Sequence, residues 1–330
     1  MKKLGIVLPT YNRSRYALEC VELLLPQLLR NREAVSLLIT DNASPDDTEK
    51  MLRPFSVQYP ELITYIKQAE NIGPHANFYY GIKHIDAEYI YLLGDDDKVS
   101  PFFAETILLL IHANPKVGMI HFNYLEGAKS LNNIKVHRAE IKSQSLCKHY
   151  HSGSEFIKEM LVSPSFISSN VFRKDCMLKG MKENFHEDCY GYDWLVCLYT
   201  GVIDTPCLYF EVPLVIQRYG GYYKKFALNT ILGQHKVFEY LSDLIPNVLN
   251  LWREDVRFQK SWDAISVIKT IPQDKKFYIN WYPEIKKGLG NWWQIFNLSI
   301  AIHMPELFSK WWFAIVSVVN KIILHKRRKG

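Results

Sequence analysis

A chain of 330 residues with 48% hydrophobic and 22% charged side chains can bury one large domain or two, which argues against a disordered polypeptide. Its net charge of +6 is partly gathered in the terminal run His325-Lys326-Arg327-Arg328-Lys329, and without a basic stripe elsewhere it gives no case for a nucleic-acid partner. Eight tryptophans and twenty tyrosines exceed what a core needs and suit sugar rings or a membrane interface.

Met1-Lys2-Lys3 and the apolar residues 4–8 imitate a signal peptide, but the run stops at Pro9-Thr10-Tyr11-Asn12-Arg13 without a small-residue cleavage site, so it reads as a strand. Helical spacing follows from Arg15 to Leu29. Val35 to Thr40 is a second strand, ending in Asp41-Asn42-Ala43-Ser44-Pro45, where Ser44 or Asp46 would cap a helix carrying Thr48, Met51 and Leu52. Leu62 to Ile66 is a third strand and Phe78 to Ile85 a third helix. The fourth strand, Tyr89 to Leu93, ends abruptly in Gly94-Asp95-Asp96-Asp97. Strands alternating with helices predict an α/β fold with a mainly parallel, doubly wound sheet, whose ligands bind beyond the carboxyl ends of the strands. Thr10, Tyr11 and Asn12, then Asp41, then the aspartate run would converge on that edge.

A helix over Phe102–Ala113 and a strand over Gly118–Tyr124 precede a polar, basic stretch at 125–150 that reads as an insertion or loop. Ser154 to Leu161 reads as helix, Phe166 to Phe172 as strand, Asp193 to Tyr199 as helix and Leu208 to Val215 as strand, with the remainder helical. The expected organisation is 1–125 as a nucleotide-binding half, 126–225 as an acceptor-binding half and 226–330 as a helical, aromatic-rich extension. Six cysteines form no Cys-x-x-Cys pair and read as free thiols.

Carboxylates crowded at a strand end repel one another unless a cation joins them, and oxygen ligands suit Mg2+ or Mn2+, the ions that neutralise a departing diphosphate. Asp95, Asp96 and Asp97 meet that requirement, against the plainer reading of a solvated loop.

Four ordered motifs, Ile6-Val7-Leu8-Pro9-Thr10-Tyr11-Asn12-Arg13, Leu38-Ile39-Thr40-Asp41-Asn42-Ala43-Ser44, Asn71-Ile72-Gly73 and Leu93-Gly94-Asp95-Asp96-Asp97, resemble the family 2 glycosyltransferases of GT-A fold over about residues 1–125. The resemblance implies that Pro9, Thr10, Tyr11 and Asn12 line the nucleoside pocket, that Asp41 accepts from base or ribose, and that Asn71 and Gly73 approach the nucleotide. It implies Asp97 as leading metal ligand, with Asp95 or Asp96 on ribose or metal-bound water. The usual Asp-x-Asp-Asp has Gly94 at its first position here, a feature shared with an abequosyltransferase-like branch that builds O-antigen-type polysaccharides.

Inverting transfer needs a carboxylate base on the acceptor side. Asp193, directly before a helix whose N-terminus steadies a negative charge, is favoured over Asp188 in His186-Glu187-Asp188. The resemblance also implies that Arg218, expected in a loop after the last strand, reaches the diphosphate.

Trp292-Trp293 and the stretch from Trp311 to Leu324 are too short and too polar to span a bilayer, and with the basic tail they read as a helix in the membrane interface or on another subunit. The expected partners are therefore a nucleoside diphosphate sugar, a glycan or lipid-linked acceptor, a membrane surface on the cytoplasmic side and a second copy of the chain. The competing reading is a membrane-bound assembly scaffold that keeps the nucleotide fold without catalysis. A nucleotidyltransferase fits less well, because Thr10 to Arg15 lacks glycine.

Overall fold

Apolar strands separated by amphipathic helices bury both strand faces only by stacking the helices on a common sheet. The computed structural model has this arrangement, and it describes residues 1–128, 134–137, 146–184, 189, 191–219, 233–252, 296 and 299–300. In chain order the elements are β1 (Lys2–Thr10), α1 (Ser14–Arg30), β2 (Val35–Asp41), α2 (Thr48–Gln58), β3 (Ile63–Lys67), α3 (Pro74–His84), β4 (Ala87–Leu92), β5 (Lys98–Val99) and α4 (Phe103–Ala113). They continue as β6 (Met119–Ala128), β7 (Ile134–His137), β8 (Cys147–Tyr150), α5 (Gly153–Met160), β9 (Asn170–Arg173), α6 (Lys174–Asn184), α7 (Asp193–Val202) and β10 (Cys207–Tyr219).

The sheet runs β3-β2-β1-β4-β9-β6-β10-β5, with β7 on β6 and β8 on β10. The β3 to β4 block and the β6–β10 pair are parallel, while β9 is antiparallel to both neighbours. This is the mainly parallel α/β sheet expected. Alternation along β1 sends Leu4, Ile6 and Leu8 into the main core with Ala17, Val21, Leu24 and Leu28 of α1. Val7 faces α3, whose Gly81 sits so close that a Cβ there would lie 2.3 Å from a Val7 methyl. Burying each such aliphatic side chain contributes roughly 1.5–3 kcal/mol. All six cysteines are free, and five of them are buried.

Several expectations need correction. The strand predicted at 166–172 is two 3-10 turns, Ser163–Ser165 and Ile167–Ser169, and only Asn170–Arg173 pairs as β9. Polar side chains turn the backbone there: Asn170 Nδ2 donates to Pro164 O at 2.8 Å and Phe166 O at 2.9 Å, and Ser169 Oγ donates to Phe166 O at 2.6 Å. The stretch 125–150 is not one loop, because β6 continues to Ala128 and β7 and β8 extend the sheet. Extension of β6 also carries β10 through Tyr219, with Arg218 opposite Gly127, so Arg218 stands in a strand rather than in the loop after it. Helix α3 begins at Pro74, a residue pre-set for the first helical turn, four positions before the predicted start. Helix α6 and the two-residue β5 had no counterpart among the predicted elements.

Helices α6 and α7 meet at glycines. A Cβ on Gly180 would stand 1.8 Å from Cys197 O, and one on Gly201 would stand 2.0 Å from Cys176 O. Gly180→Ala is therefore expected to destabilise the protein by about 1–3 kcal/mol through forced separation of the helices, although alanine in a helix is otherwise favoured by about 1 kcal/mol. Denaturant unfolding checks the sign, and a stabilised variant would contradict the close packing.

Contacts divide the chain into one unit of residues 1–188 and 193–220 and a second of 189–192 and 221–330. Within the second, a helix over 233–241 buries Val237, Phe238 and Leu241, and Trp252 stacks on Phe238. The paired tryptophans and basic tail lie outside the described residues. Among the described residues no helix is long and apolar enough to cross a membrane.

Candidate active site

Because β2 and β4 flank β1 on opposite sides, the winding reverses at β1, and a crevice opens beyond its carboxyl end. Register places Thr10 beside Asp41. Thr10 Oγ1 donates to Asp95 Oδ2 at 2.8 Å, and Asn42 N donates to Thr10 O at 2.9 Å. The ends of β1, β2 and β4 thus meet through hydrogen bonds between Thr10, Asn42 and Asp95.

Among the aspartates, Asp95 and Asp97 are buried and Asp96 is part-exposed. Arg13 Nη1 pairs with Asp95 Oδ1 at 2.8 Å and Asp96 Oδ2 at 3.2 Å. Ser168 Oγ donates to Asp97 Oδ2 at 2.6 Å, and the Arg218 backbone N–H reaches Asp97 Oδ1 at 3.2 Å. The Cys20 thiol donates to Asp97 O at 3.1 Å and Asp95 O at 3.3 Å, fixing the loop from beneath. Burial, then the neighbouring charge of Asp96, pushes the Asp97 carboxyl up to about 7 despite those two hydrogen bonds. Burial also raises Asp95, against the opposing pull of Arg13.

Gly94 has a steric reason. A Cβ there would lie 2.8 Å from Asp97 Oδ2 and 3.2 Å from Ser168 Oγ, so any side chain would collide with the serine clamp on Asp97. An aspartate at 94 would also add a further negative charge beside an already crowded set.

At the end of β2, Asp41 is fully buried and accepts from Tyr65 Oη at 2.5 Å and Ser44 N at 2.8 Å. Pro9 is buried, whereas Tyr11 and Asn12 are exposed, Asn12 at a φ of 55°. Asn42 Nδ2 donates to Asn71 Oδ1 at 2.9 Å, which also accepts from Gly73 N. Gly73 has a φ of 84°, a left-handed geometry that glycine reaches without strain. Asp46 ties two helix starts together, accepting from Ser14 N at 3.1 Å and Thr48 N at 3.1 Å.

Asp193 is the first residue of α7 and half-exposed. Tyr79 Oη donates to its Oδ2 at 2.7 Å, and His75 Nδ1 lies 2.8 Å from its Oδ1. Burial would raise this carboxyl, but the close contact of His75 and the hydrogen bond from Tyr79 outweigh it and hold it below the ordinary range. The competitor Asp188 lies outside the described residues.

Arg218 is tied down rather than surface-exposed. Its Nε donates to Asp96 O at 2.9 Å, its Nη2 pairs with Glu19 Oε2 at 2.6 Å, and its guanidinium lies over the Tyr16 ring at 4.8 Å. The sequence reading gave no role to Arg13, Glu19, Cys20, Tyr65, His75, Tyr79 or Ser168. Arg13 was visible inside the first motif, but Ser168 reaches Asp97 across 71 positions, and no local pattern announces such a pair.

Among the described residues no three carboxylate, histidine or cysteine side chains converge to hold an ion. The residues that could offer oxygen ligands are Asp97 and Asp95, one or two carboxylates. That suits a hard cation such as Mg2+ or Mn2+ that completes its shell with phosphate oxygens and water. Its positive charge would offset the burial and the Asp96 repulsion that together raise Asp97.

The sequence pattern of the family described as Glycosyl transferase family 2 matches residues 5–170. Minor teichoic acid biosynthesis protein GgaB of Bacillus subtilis is 31% identical over 104 residues, 32% of this chain and 11% of that protein. Abequosyltransferase RfbV of Salmonella typhimurium is 31% identical over 97 residues, 29% of each. This chain therefore spans less than a third of either relative's own length. S. aureus TarS 1-349 in complex with UDP-GlcNAc shares the fold at a TM-score of 0.61 and 13% identity, over 91% of this chain and 81% of that one. Mannosyltransferase PcManGT from Pyrobaculum calidifontis, in complex with GDP-Man and Mn2+, does so at 0.53 and 12%, over 93% and 88%.

Proposed function

The chain belongs to glycosyl transferase family 2, and on that premise we propose that it moves a sugar, with inversion, from a nucleoside diphosphate sugar to a glycan or lipid-linked acceptor of bacterial surface polysaccharide. The observation that carries this is the buried, unneutralised Asp97 at the β1–β4 crevice, held by Ser168 and Arg218 N–H beside two further aspartates. Two structural neighbours that hold UDP-GlcNAc, and GDP-Man with Mn2+, support the donor class. Relatives named for teichoic acid synthesis and abequosyl transfer support the polysaccharide setting.

In this reading Pro9, Thr10, Tyr11, Asn12 and Asp41 hold the nucleoside, and the Asn71–Gly73 backbone closes against it. Asp97, with Asp95, holds Mn2+ or Mg2+, whose Lewis acidity neutralises charge on the departing diphosphate. Arg13 keeps Asp95 and Asp96 in place, and Asp96 presents its free edge to ribose or water. Arg218 fixes the aspartate loop through its backbone and Nε, and its guanidinium supplies positive charge on the diphosphate side. Asp193, ionised and half-exposed, takes the proton from the attacking acceptor hydroxyl. The aromatic C-terminal region and basic tail would bring the enzyme to the cytoplasmic membrane surface or to a second copy of itself.

Calorimetry of the full chain against a panel of nucleoside diphosphate sugars including UDP-GlcNAc and GDP-Man, with and without Mn2+, tests the proposal. One donor is expected to bind only with metal and to release its nucleoside diphosphate slowly in water. Absence of binding across the panel would overturn the enzyme reading in favour of the scaffold.

A further inference from the structure

The seam between α3 and α7 is a matched ladder. His75 and Tyr79 stand four residues apart on α3, and Asp193 and Cys197 stand four apart on α7, so each pair shares one helix face. Tyr79 Oη donates to Asp193 Oδ2 at 2.7 Å and lies 3.8 Å from Cys197 Sγ. His75 Nδ1 lies 2.8 Å from Asp193 Oδ1, a close approach of ring and carboxylate in which the N–H is not aligned on the oxygen.

The same α3 is anchored at the donor edge. Asn77 Nδ2 donates to Thr40 O at 2.8 Å, clamping the helix to the end of β2. Its N-cap Gly73 donates to Asn71 Oδ1, and Ile72 N donates to Asn42 Oδ1, both at 2.9 Å. A single rigid element therefore connects the Asn42–Asn71 loop to the Asp193 carboxylate.

We propose that His75 and Tyr79 are positioning residues that aim Asp193, from a helix that Asn77 and the Asn71 side chain hold in place at the end of β2. This rests on Asp193 being the acceptor-side base. With Oδ2 held by Tyr79, the remaining freedom of the carboxylate is rotation about the side chain, and His75 on Oδ1 removes it. Tyr79 is 6% exposed, and burial first, then nearby Cys197 and Asp193, pushes its hydroxyl far up, so it remains a hydrogen-bond donor at every working pH. His75 is part-exposed, which gives its imidazole a route to solvent. Among the described residues the groups facing the carboxylate are His75 and Tyr79 from α3 and Cys197 from its own helix.

The test is 13C NMR titration of aspartate-labelled full-length protein, with the Asp193 signal assigned by its loss in Asp193→Asn. The expected result is a rise of the Asp193 midpoint in His75→Ala and in Tyr79→Phe, without loss of folding. Turnover of the donor identified by the panel is expected to fall about tenfold to a hundredfold, as for a misaimed reacting group, with donor KM unchanged. His75→Asn, which returns a donor near Nδ1 without the charge, is expected to recover most of the turnover. Identical Asp193 midpoints in wild type and both variants overturn the proposal. Full turnover in Asp193→Asn would instead remove the base reading, whatever the midpoints show.

Discussion

Asp97→Asn is expected to lower donor turnover on the order of 10²–10³-fold, while making the metal-free protein more stable at pH 8. The two effects share one cause. In the fold the carboxyl is raised from 3.8 to about 7, chiefly by burial and then by Asp96. A group raised in this way contributes its full stability below pH 3.8 and loses it as pH climbs through 7. Across that window the loss is about 1.4 kcal/mol per pH unit, and roughly 4 kcal/mol in all. Asparagine carries no charge to lose. Its Oδ1 can still accept from Arg218 N–H and its Nδ2 can donate to Ser168 Oγ, because a hydroxyl both gives and takes. Thermal unfolding at pH 5 and pH 8 should show the wild type losing stability relative to Asp97→Asn, and added Mn2+ should restore it in the wild type only. Turnover near the wild-type level would sink the metal assignment, and parallel pH curves for the two proteins would sink the buried-charge account.

The convergence of the strand ends proposed for the nucleotide was legible because its residues are local in sequence. A strand end, a turn and an aspartate run each fall within a few positions, and sheet topology alone brings Thr10, Asp41 and Asp95 together. What stabilises that edge was not legible, since Ser168 and Arg218 reach Asp97 across 71 and 121 positions. Gly94 stood in the sequence as a departure from the usual Asp-x-Asp-Asp, and its steric reason shows only in the neighbouring atoms of Asp97 and Ser168. The second half of the sheet was harder for another reason. Residues 166–172 carry strand-like apolar letters, yet Ser169 and Asn170 hydrogen-bond the backbone into turns, and those local bonds overrode the pattern. Arg218 was misplaced because strand length depends on a partner, and β6 extends β10 by pairing Gly127 opposite Arg218.

Asp193→Asn is expected to leave metal-dependent donor binding unchanged and to reduce transfer about 10²–10⁴-fold, the range for removal of a positioned general base. Separation of the two follows from the architecture. The residues proposed for the nucleotide stand at the ends of β1, β2 and β4, whereas Asp193 opens α7 and its carboxylate meets His75 and Tyr79 of α3. Asparagine accepts the Tyr79 hydroxyl through Oδ1, so the helix start is kept, and what disappears is the group able to take a proton. In the wild type the carboxyl is held below its ordinary range, hence ionised at neutral pH and ready to accept. The stability it contributes is present above the ordinary carboxylate value and is lost as pH falls through the depressed one, so Asp193→Asn should cost stability at pH 7 and nothing in strong acid. Isothermal titration with the donor and Mn2+, beside a transfer assay on the same samples, reads both quantities. Loss of donor binding together with transfer would place Asp193 on the nucleotide instead, and transfer at the wild-type rate would leave the base to be sought among the residues around Asp188.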